Sequence, residues 1–148
     1  MTIRRLKPPS GGDEPPRTSA PIGRKGPLLD LTPLATEICR RYQLEFPDEK
    51  KRYGAAGNQW CVHDNQHLLN WGVEAVNGHL DINREVSWLA SVLEARGFPI
   101  TRLARCLDLG ADVVVDQAIG VPGDRLALVL TETATFVRSY GSFLEFTV

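Results

Sequence analysis

The sequence has few cysteines, a single methionine and no long apolar run. Its three cysteines, Cys39, Cys61 and Cys106, include no CxxC pair and are odd in number, which argues against a disulfide framework or a zinc knuckle. We therefore expect all three to be buried as small hydrophobic side chains. The longest apolar stretches, such as LALVL at 126–130, are far shorter than the roughly 20 residues that a membrane-spanning helix needs.

Several motifs of enzymes and nucleotide-binding proteins are also missing. The chain has no Gly-rich phosphate loop, no G-x-S-x-G nucleophile elbow, no paired-carboxylate motif and no Rossmann fingerprint. Its first residues, MTIRRLKPPSGGDEPP, lack the apolar core of a signal peptide, so we expect a cytoplasmic protein. These absences remove the commonest sequence indications of an enzyme and leave that question open.

Composition divides the chain into an arm and one globular domain. Residues 1–27 hold six of the ten prolines and carry a net charge of +4, which leaves −5 for the remainder. With few large apolar side chains, this segment is expected to be a flexible basic arm. Residues 28–148 are enough for a single core. Because this body is acidic and shows no helix-turn-helix spacing, we do not expect it to bind nucleic acid.

Apolar residues at helical spacing, interrupted by Pro and Gly, predict five amphipathic helices after the arm. The first is expected to begin at Thr32 as N-cap and end before Pro47. The others are expected at about 57–76, at about 83–96, after Pro99, and at about 124–140. The closing SFLEFTV has no clear assignment. The predicted fold is all-α, a single five-helix bundle with a disordered N-terminal arm.

The stretch WCVHDNQHLLNW at 60–71 lies in the second predicted helix. Projected at about 100° per residue, it places Trp60, Cys61 and Trp71 on a broad apolar arc, so the helix should be central to the bundle. Asp64 projects between the two tryptophans. An enclosed and unpaired carboxylate there would cost several kcal/mol, so Asp64 needs a partner. His67, three residues on, or a Trp indole N–H can supply it, and an Asp64/His67 pair would raise the pKa of His67.

An Asp64/His67 pair is compatible with several roles. It suits a pH-sensitive contact, a ligand-binding pocket or an acid-base site, and a structural buried hydrogen bond is the alternative. A pocket walled by tryptophans and floored by Asp64 would suit a flat ligand.

A second hypothesis concerns metal or haem. His63 and His67 stand four residues apart, and Glu74 lies on the same polar row, so the three side chains offer ligands for zinc, iron or copper. Zincin chemistry would need a Glu directly after the first His, where this sequence has Asp64. Haem ligation by either histidine and a solvated or interfacial helix face are the alternatives.

Two stretches, RYGAAGNQWCVHDNQHLL and VSWLASVLEARGFPITRLARCLDL, resemble a bacterial helical-bundle domain found beside cobalamin-binding and other signalling modules. The resemblance covers about residues 52–109. Its matching positions are Arg52, Tyr53, Gly54, Gly57, Cys61, Asp64, Trp88, Arg96, Gly97 and Pro99. The family's His-Leu pair stands four residues after the Asp, whereas His67 stands three after Asp64, so the resemblance assigns no role to this histidine. It implies a sensing or relaying function, without a cobalamin-binding domain in this chain.

These patterns together favour a non-enzymatic cytoplasmic regulatory or sensor bundle that acts through contact with a partner protein or as a homodimer. A small-ligand pocket is compatible with this reading, and no cofactor is named by the sequence. The candidate ligand-binding or interaction residues are Trp60, Cys61, Asp64, His67, Trp71, Trp88 and Arg96. The alternatives are a metal- or haem-binding protein that uses His63, His67 and Glu74, and a small all-α enzyme with an Asp64/His67 acid-base pair.

Overall fold

The computed structural model describes residues 16–117 and 119–144. Two strands, β1 (Ser19–Pro21) and β2 (Leu28–Asp30), form an antiparallel hairpin. Five helices follow, and they are α1 (Leu31–Glu45), α2 (Glu49–Val76), α3 (Ile82–Ala95), α4 (Ile100–Asp116) and α5 (Val121–Ser139). The prediction of an all-α five-helix bundle is confirmed. Among the described residues, no helix has the length and apolarity needed to cross a bilayer.

The hairpin occupies part of the predicted flexible arm. Residues 1–15 of that arm lie outside the described residues, but Ala20 and Ile22 are fully buried against the bundle. The Asn77 side chain fixes the hairpin to the end of α2, because its Oδ1 accepts from Gly23 N at 2.8 Å and its Nδ2 donates to Pro21 O at 2.9 Å. The prediction of flexibility is therefore wrong for residues 16–27. The high proline and glycine content of this segment led to the prediction of flexibility, although Ala20 and Ile22 stand at alternating positions and are buried.

Helix α2 begins eight residues earlier than the pattern predicts. Its first turns run through the charged segment DEKKRYG, and Gly54 interrupts them with φ 62° and ψ −155°. This conformation is open almost solely to glycine. The glycine therefore divides α2 into a short first part and a long second part that meet at a kink. The start of α1 also differs, because Asp30 rather than Thr32 precedes the first helical residue.

Close packing of α5 against α2 and α4 forms the centre of the core. Leu130 of α5 is 1% exposed, and two glycines face it. A Cβ added to Gly72 would lie 3.3 Å from Leu130 Cδ2, and one added to Gly110 would lie 3.4 Å from Leu130 Cδ1. Small residues on both neighbouring helices thus make room for one leucine, and this interlocking positions the second part of α2.

The start of the closing segment docks on α3. Phe143 is fully buried, and its backbone N–H donates to Glu94 Oε2 at 2.8 Å. Ser142 Oγ lies 3.1 Å from the same oxygen. The sequence pattern alone did not place SFLEFTV, since one phenylalanine and one distant carboxylate determine its position. Residues 145–148 lie outside the described residues.

Candidate functional site

A cavity of about 670 Å³ lies beside the kink of α2. Its walls come from the end of α1, the first half of α2, the end of α3 with the turn that follows, and the start of α4. The apolar part of the lining includes Tyr42, Tyr53, Trp60, Leu68, Phe98 and Leu103. Because Gly54 turns the first part of α2 away from the straight helix axis, residues on both sides of the kink face the same space.

A cluster of charged groups fixes the base of this cavity where α1, α2 and α4 meet. Arg102 Nη1 lies 2.5 Å from Glu49 Oε1 and 3.0 Å from Asp48 Oδ2, and its guanidinium lies 4.4 Å from the Phe46 ring centroid. Tyr42 Oη donates to the same Glu49 oxygen at 2.7 Å. Hydrogen bonding to the two acidic partners raises the pKa of Arg102. This cluster holds the first part of α2 at its angle to the rest of the bundle.

Asp64 lines the cavity, but its partner is not the one predicted. Asp64 Oδ1 lies 3.2 Å from His63 Nδ1, and the Asp64 side chain is 23% exposed. The expected Asp64/His67 pair is therefore not the observed contact. The reason is a row of rings along α2: His67 packs on His63 at 4.9 Å between ring centroids and on Trp71 at 5.5 Å, since residues four apart face the same side of a helix.

This aromatic row extends at both ends. Trp60 packs on His63 with ring centroids 5.6 Å apart, and Trp71 packs on Trp88 of α3 at 6.5 Å. The aromatic row thus consists of Trp60, His63, His67, Trp71 and Trp88. Trp60 is 49% exposed at the cavity, whereas Trp71 is 6% exposed. The aromatic row therefore connects the cavity to the interface between α2 and α3.

Arg96 stands at the cavity end of the aromatic row. Its guanidinium carbon lies 6.0 Å from the Trp60 ring centroid, within the range of a cation–π contact. Both residues line the cavity. Of the seven predicted candidates, Trp60, Cys61, Asp64 and Arg96 line the cavity, whereas His67, Trp71 and Trp88 lie farther along the aromatic row.

The predicted metal ligands are not assembled. Glu74 Oε2 lies 2.9 Å from His79 Nδ1, two turns beyond His67, while His63 and His67 belong to the aromatic row. In the described part of the chain, no group of three or more His, Cys, Asp or Glu side chains is placed to hold a metal ion. The set His63, His67 and Glu74 is therefore wrong as a three-ligand site. Haem ligation by either histidine stays a prediction.

Two of the three cysteines are bonded to each other. Cys39 of α1 and Cys61 of α2 form a disulfide, with Cα atoms 6.0 Å apart. The expectation of three free cysteines is therefore wrong for this pair, while Cys106 of α4 is free and buried as expected. An odd count indicates only that at least one cysteine has no partner within the chain. Both bonded residues lie on inward faces of two adjacent helices. The number of cysteines gives no information on this packing.

Asn65 lies among the three cysteines. It is 3% exposed, and its Nδ2 donates to Cys61 O at 2.9 Å and lies 3.4 Å from Cys61 Sγ and 3.6 Å from Cys39 Sγ. It also hydrogen-bonds the Cys106 side chain, but burial dominates there and raises the pKa of the Cys106 thiol to about 12. Cys106 is therefore protonated at neutral pH. Sequence patterns gave no indication of this arrangement, because the contacts of Asn65 with the cysteines depend on how α1 and α2 pack.

The Gly54 conformation allows a direct test of the kink. We expect Gly54→Ala to lower the free energy of unfolding by about 1–3 kcal/mol, because alanine disfavours this backbone region. An added Cβ would meet nothing within 4 Å, so the cost is conformational. Gly141→Ala, where an added Cβ also meets nothing and φ is not positive, should change stability by no more than about 0.5 kcal/mol. Urea unfolding measures both, and equal effects would contradict the assigned kink.

The position of His67 predicts a pH dependence of stability. Burial and, after it, the neighbouring His63 lower the pKa of His67, and Asp64 partly opposes this shift. The folded state therefore favours neutral His67. This contribution is fully present above the pKa of an unfolded histidine, about 6.5, and is lost as the pH falls through the lower pKa of folded His67.

Urea unfolding between pH 7.5 and 5 tests this dependence. The wild type should lose stability on acidification, and His67→Phe, which keeps a ring between His63 and Trp71, should flatten the curve. His79→Gln removes an exposed imidazole and should retain the slope. An unchanged slope in His67→Phe would show that another group titrates.

Comparison with known proteins found no relative of this chain. No protein-family model, no curated protein and no solved structure matches the chain. Tyr53, Asn65 and Phe98 are lining residues that the sequence patterns missed. Their approach depends on how the helices pack against one another, which a projection of a single helix does not represent.

Proposed function

We propose that the chain is a cytoplasmic regulatory or sensor bundle that binds a small ligand in the cavity beside the kink. The observation that carries this proposal is the cavity itself, about 670 Å³ between four helices. This volume lies within the range of small-molecule sites, roughly 300–1,000 Å³, which combine mainly apolar walls with a few polar groups. The sensing role that the sequence resemblance implies is consistent with this reading.

The lining favours a small apolar or aromatic acid. Tyr53, Trp60 and Phe98 offer faces for a flat or hydrophobic body. Glu49 is already engaged by Arg102, whereas the Arg96 guanidinium lies over the Trp60 ring rather than against a carboxylate in the described residues. Arg96 is thus placed to receive an anionic group from a ligand that packs on Trp60.

Ligand binding can be transmitted to the protein surface through the kink. The first part of α2 carries Tyr53 and borders both the cavity and solvent, with Tyr53 40% exposed and Trp60 49% exposed. A ligand that packs on these rings changes the surface they present. We propose that this surface contacts a partner protein or a second copy of the chain in a ligand-dependent manner.

Calorimetric titration with aromatic and short alkyl carboxylates tests the ligand proposal. We expect at least one carboxylate to bind, with Arg96→Gln weakening its affinity about tenfold, because a charge-assisted hydrogen bond is lost. The matched control is Arg84→Gln, which changes an exposed arginine in the first turn of α3 that does not line the cavity. Ala56→Trp adds a large ring to the cavity lining and should abolish binding.

Two results would contradict the proposal. One is that no carboxylate binds, and the other is that binding survives in the Ala56→Trp variant. Sedimentation with and without the bound carboxylate then tests the assembly step. If the chain stays monomeric in both conditions, the homodimer hypothesis is excluded, and contact with a different partner protein is the remaining hypothesis.

A further inference from the structure

The two residues of the disulfide differ in their exposure to solvent. Cys39 is 1% exposed and does not line the cavity, whereas Cys61 is half-buried and is part of the cavity wall. A small reagent that enters the cavity therefore reaches Cys61 before Cys39. Attack on Cys61 Sγ would expel Cys39 Sγ, because in thiol–disulfide exchange the sulfur that is not attacked is the leaving group.

The leaving sulfur has a hydrogen-bond donor beside it. Asn65 Nδ2 lies 3.6 Å from Cys39 Sγ and 3.4 Å from Cys61 Sγ, so this donor is within reach of both sulfurs, and Asn65 is itself buried. An N–H donor stabilises a thiolate more than a neutral thiol or disulfide sulfur, and a more stable thiolate leaves faster. The amide is thus positioned to assist departure of Cys39 in an environment that otherwise disfavours charge.

The third cysteine does not compete. Cys106 also lines the cavity, but its buried thiol is protonated at neutral pH, and the protonated form is a poor nucleophile. The cavity wall also carries Lys50, Arg52 and Arg96 beside two carboxylates. Of these carboxylates, Glu49 is paired with Arg102 and Asp64 lies beside His63, so the positive groups favour the approach of an anionic reagent. An external thiolate, rather than Cys106, is therefore the expected nucleophile for attack on the Cys39–Cys61 disulfide.

We propose that Cys61 is a site of reversible modification by a small anionic thiol, reached through the cavity. The external thiolate forms a bond to Cys61 Sγ, the Cys39–Cys61 bond breaks, and Cys39 leaves as a thiolate that takes a proton from water. A second external thiolate then attacks the outer sulfur of the adduct, which yields the external disulfide and reduced Cys61. The two electrons that reduce the protein come from these two thiols.

Modification of Cys61 would affect α2, the helix that contributes most of the cavity lining. Breaking the bond removes the covalent link between α1 and α2, which are also joined by the Tyr42–Glu49 hydrogen bond, and the adduct occupies cavity space. In the reducing cytoplasm, where we propose that the chain acts, disulfides are usually transient or redox-sensing. The inference does not require the cavity to bind a regulatory carboxylate, since it needs only access to Cys61.

Peptide mapping of the folded protein tests this assignment. The oxidised full chain is incubated with reduced glutathione without denaturant, quenched with N-ethylmaleimide, and digested for mass spectrometry. We expect the glutathione adduct on Cys61, maleimide on Cys39, and slow labelling of Cys106. Cys106→Ala should leave this pattern unchanged, and Asn65→Leu should slow adduct formation about tenfold through loss of the N–H donor.

Several outcomes would overturn the inference. These are an adduct mainly on Cys39, equal adducts on both cysteines, a new Cys61–Cys106 disulfide, or no exchange in the folded protein. An exchange rate that rises steeply at low urea would indicate reaction through global unfolding and would also overturn it. Should Asn65→Leu fail to fold, the distribution of the adduct in the wild type still decides the question. Carboxylate binding is measured separately, so failure of either proposal is recognised independently.

Discussion

Leu130→Ala should lower the free energy of unfolding by about 3–5 kcal/mol. Deletion of a buried leucine side chain removes its transfer free energy and leaves a cavity whose cost depends on how far the neighbours collapse. Leu130 is 1% exposed and fills the space between Gly72 of α2 and Gly110 of α4. Since both neighbours are glycines on helix backbones, little can move into the gap, so we expect the upper part of the usual range.

Equilibrium urea unfolding followed by circular dichroism measures this loss. The matched control is Leu128→Ala on the same helix, where Leu128 is 58% exposed, and its effect should stay within about 0.5 kcal/mol. A loss below about 1 kcal/mol for Leu130→Ala, or equal losses for the two variants, would show that α5 does not pack against α2 and α4 in this way.

Reduction of the Cys39–Cys61 disulfide should lower the free energy of unfolding by about 3 kcal/mol. The bond links residues 22 positions apart, and loop-closure entropy in the unfolded chain gives about this value for a loop of that size. Urea unfolding with and without a phosphine reductant measures the change. The double variant Cys39→Ala/Cys61→Ala should be destabilised without reductant and show no further response to it.

A thiol count provides an independent check of the pairing. Unfolded but unreduced protein should expose one reactive thiol, Cys106, and three after reduction. Three thiols before reduction would contradict the disulfide. A reductant effect in the double variant would show that the stability change has another cause.

The helical periodicity of the sequence was sufficient to predict the five helices and their order. Repeated apolar positions, with Pro and Gly between them, determine which faces must be buried. The missed features depend on backbone conformations and distant contacts. At Gly54, α2 continues through a kink, whereas the sequence predicted that the helix begins only at about residue 57. Asn77 holds the hairpin at Gly23 through a contact between residues 54 positions apart.

The candidate site was predicted in part. The apolar arc of α2 brought Trp60, Cys61 and Asp64 into one neighbourhood, and all three line the cavity. The arc also predicted that Trp60 is buried, whereas it is 49% exposed. The partner of Asp64 was wrong, since ring stacking along the helix holds His67 in the aromatic row and leaves His63 beside the carboxylate. The disulfide was missed because pairing depends on how α1 and α2 pack.

The central claim is that the cavity beside the Gly54 kink is where this protein binds its ligand. Amide chemical-shift mapping of isotope-labelled protein with the tightest-binding carboxylate tests it most directly. We predict that the large shifts fall at residues 49–65 and 93–103, on both sides of the kink and at the facing ends of α3 and α4. Large shifts confined to α5 or the hairpin, with residues 49–65 unchanged, would contradict the claim.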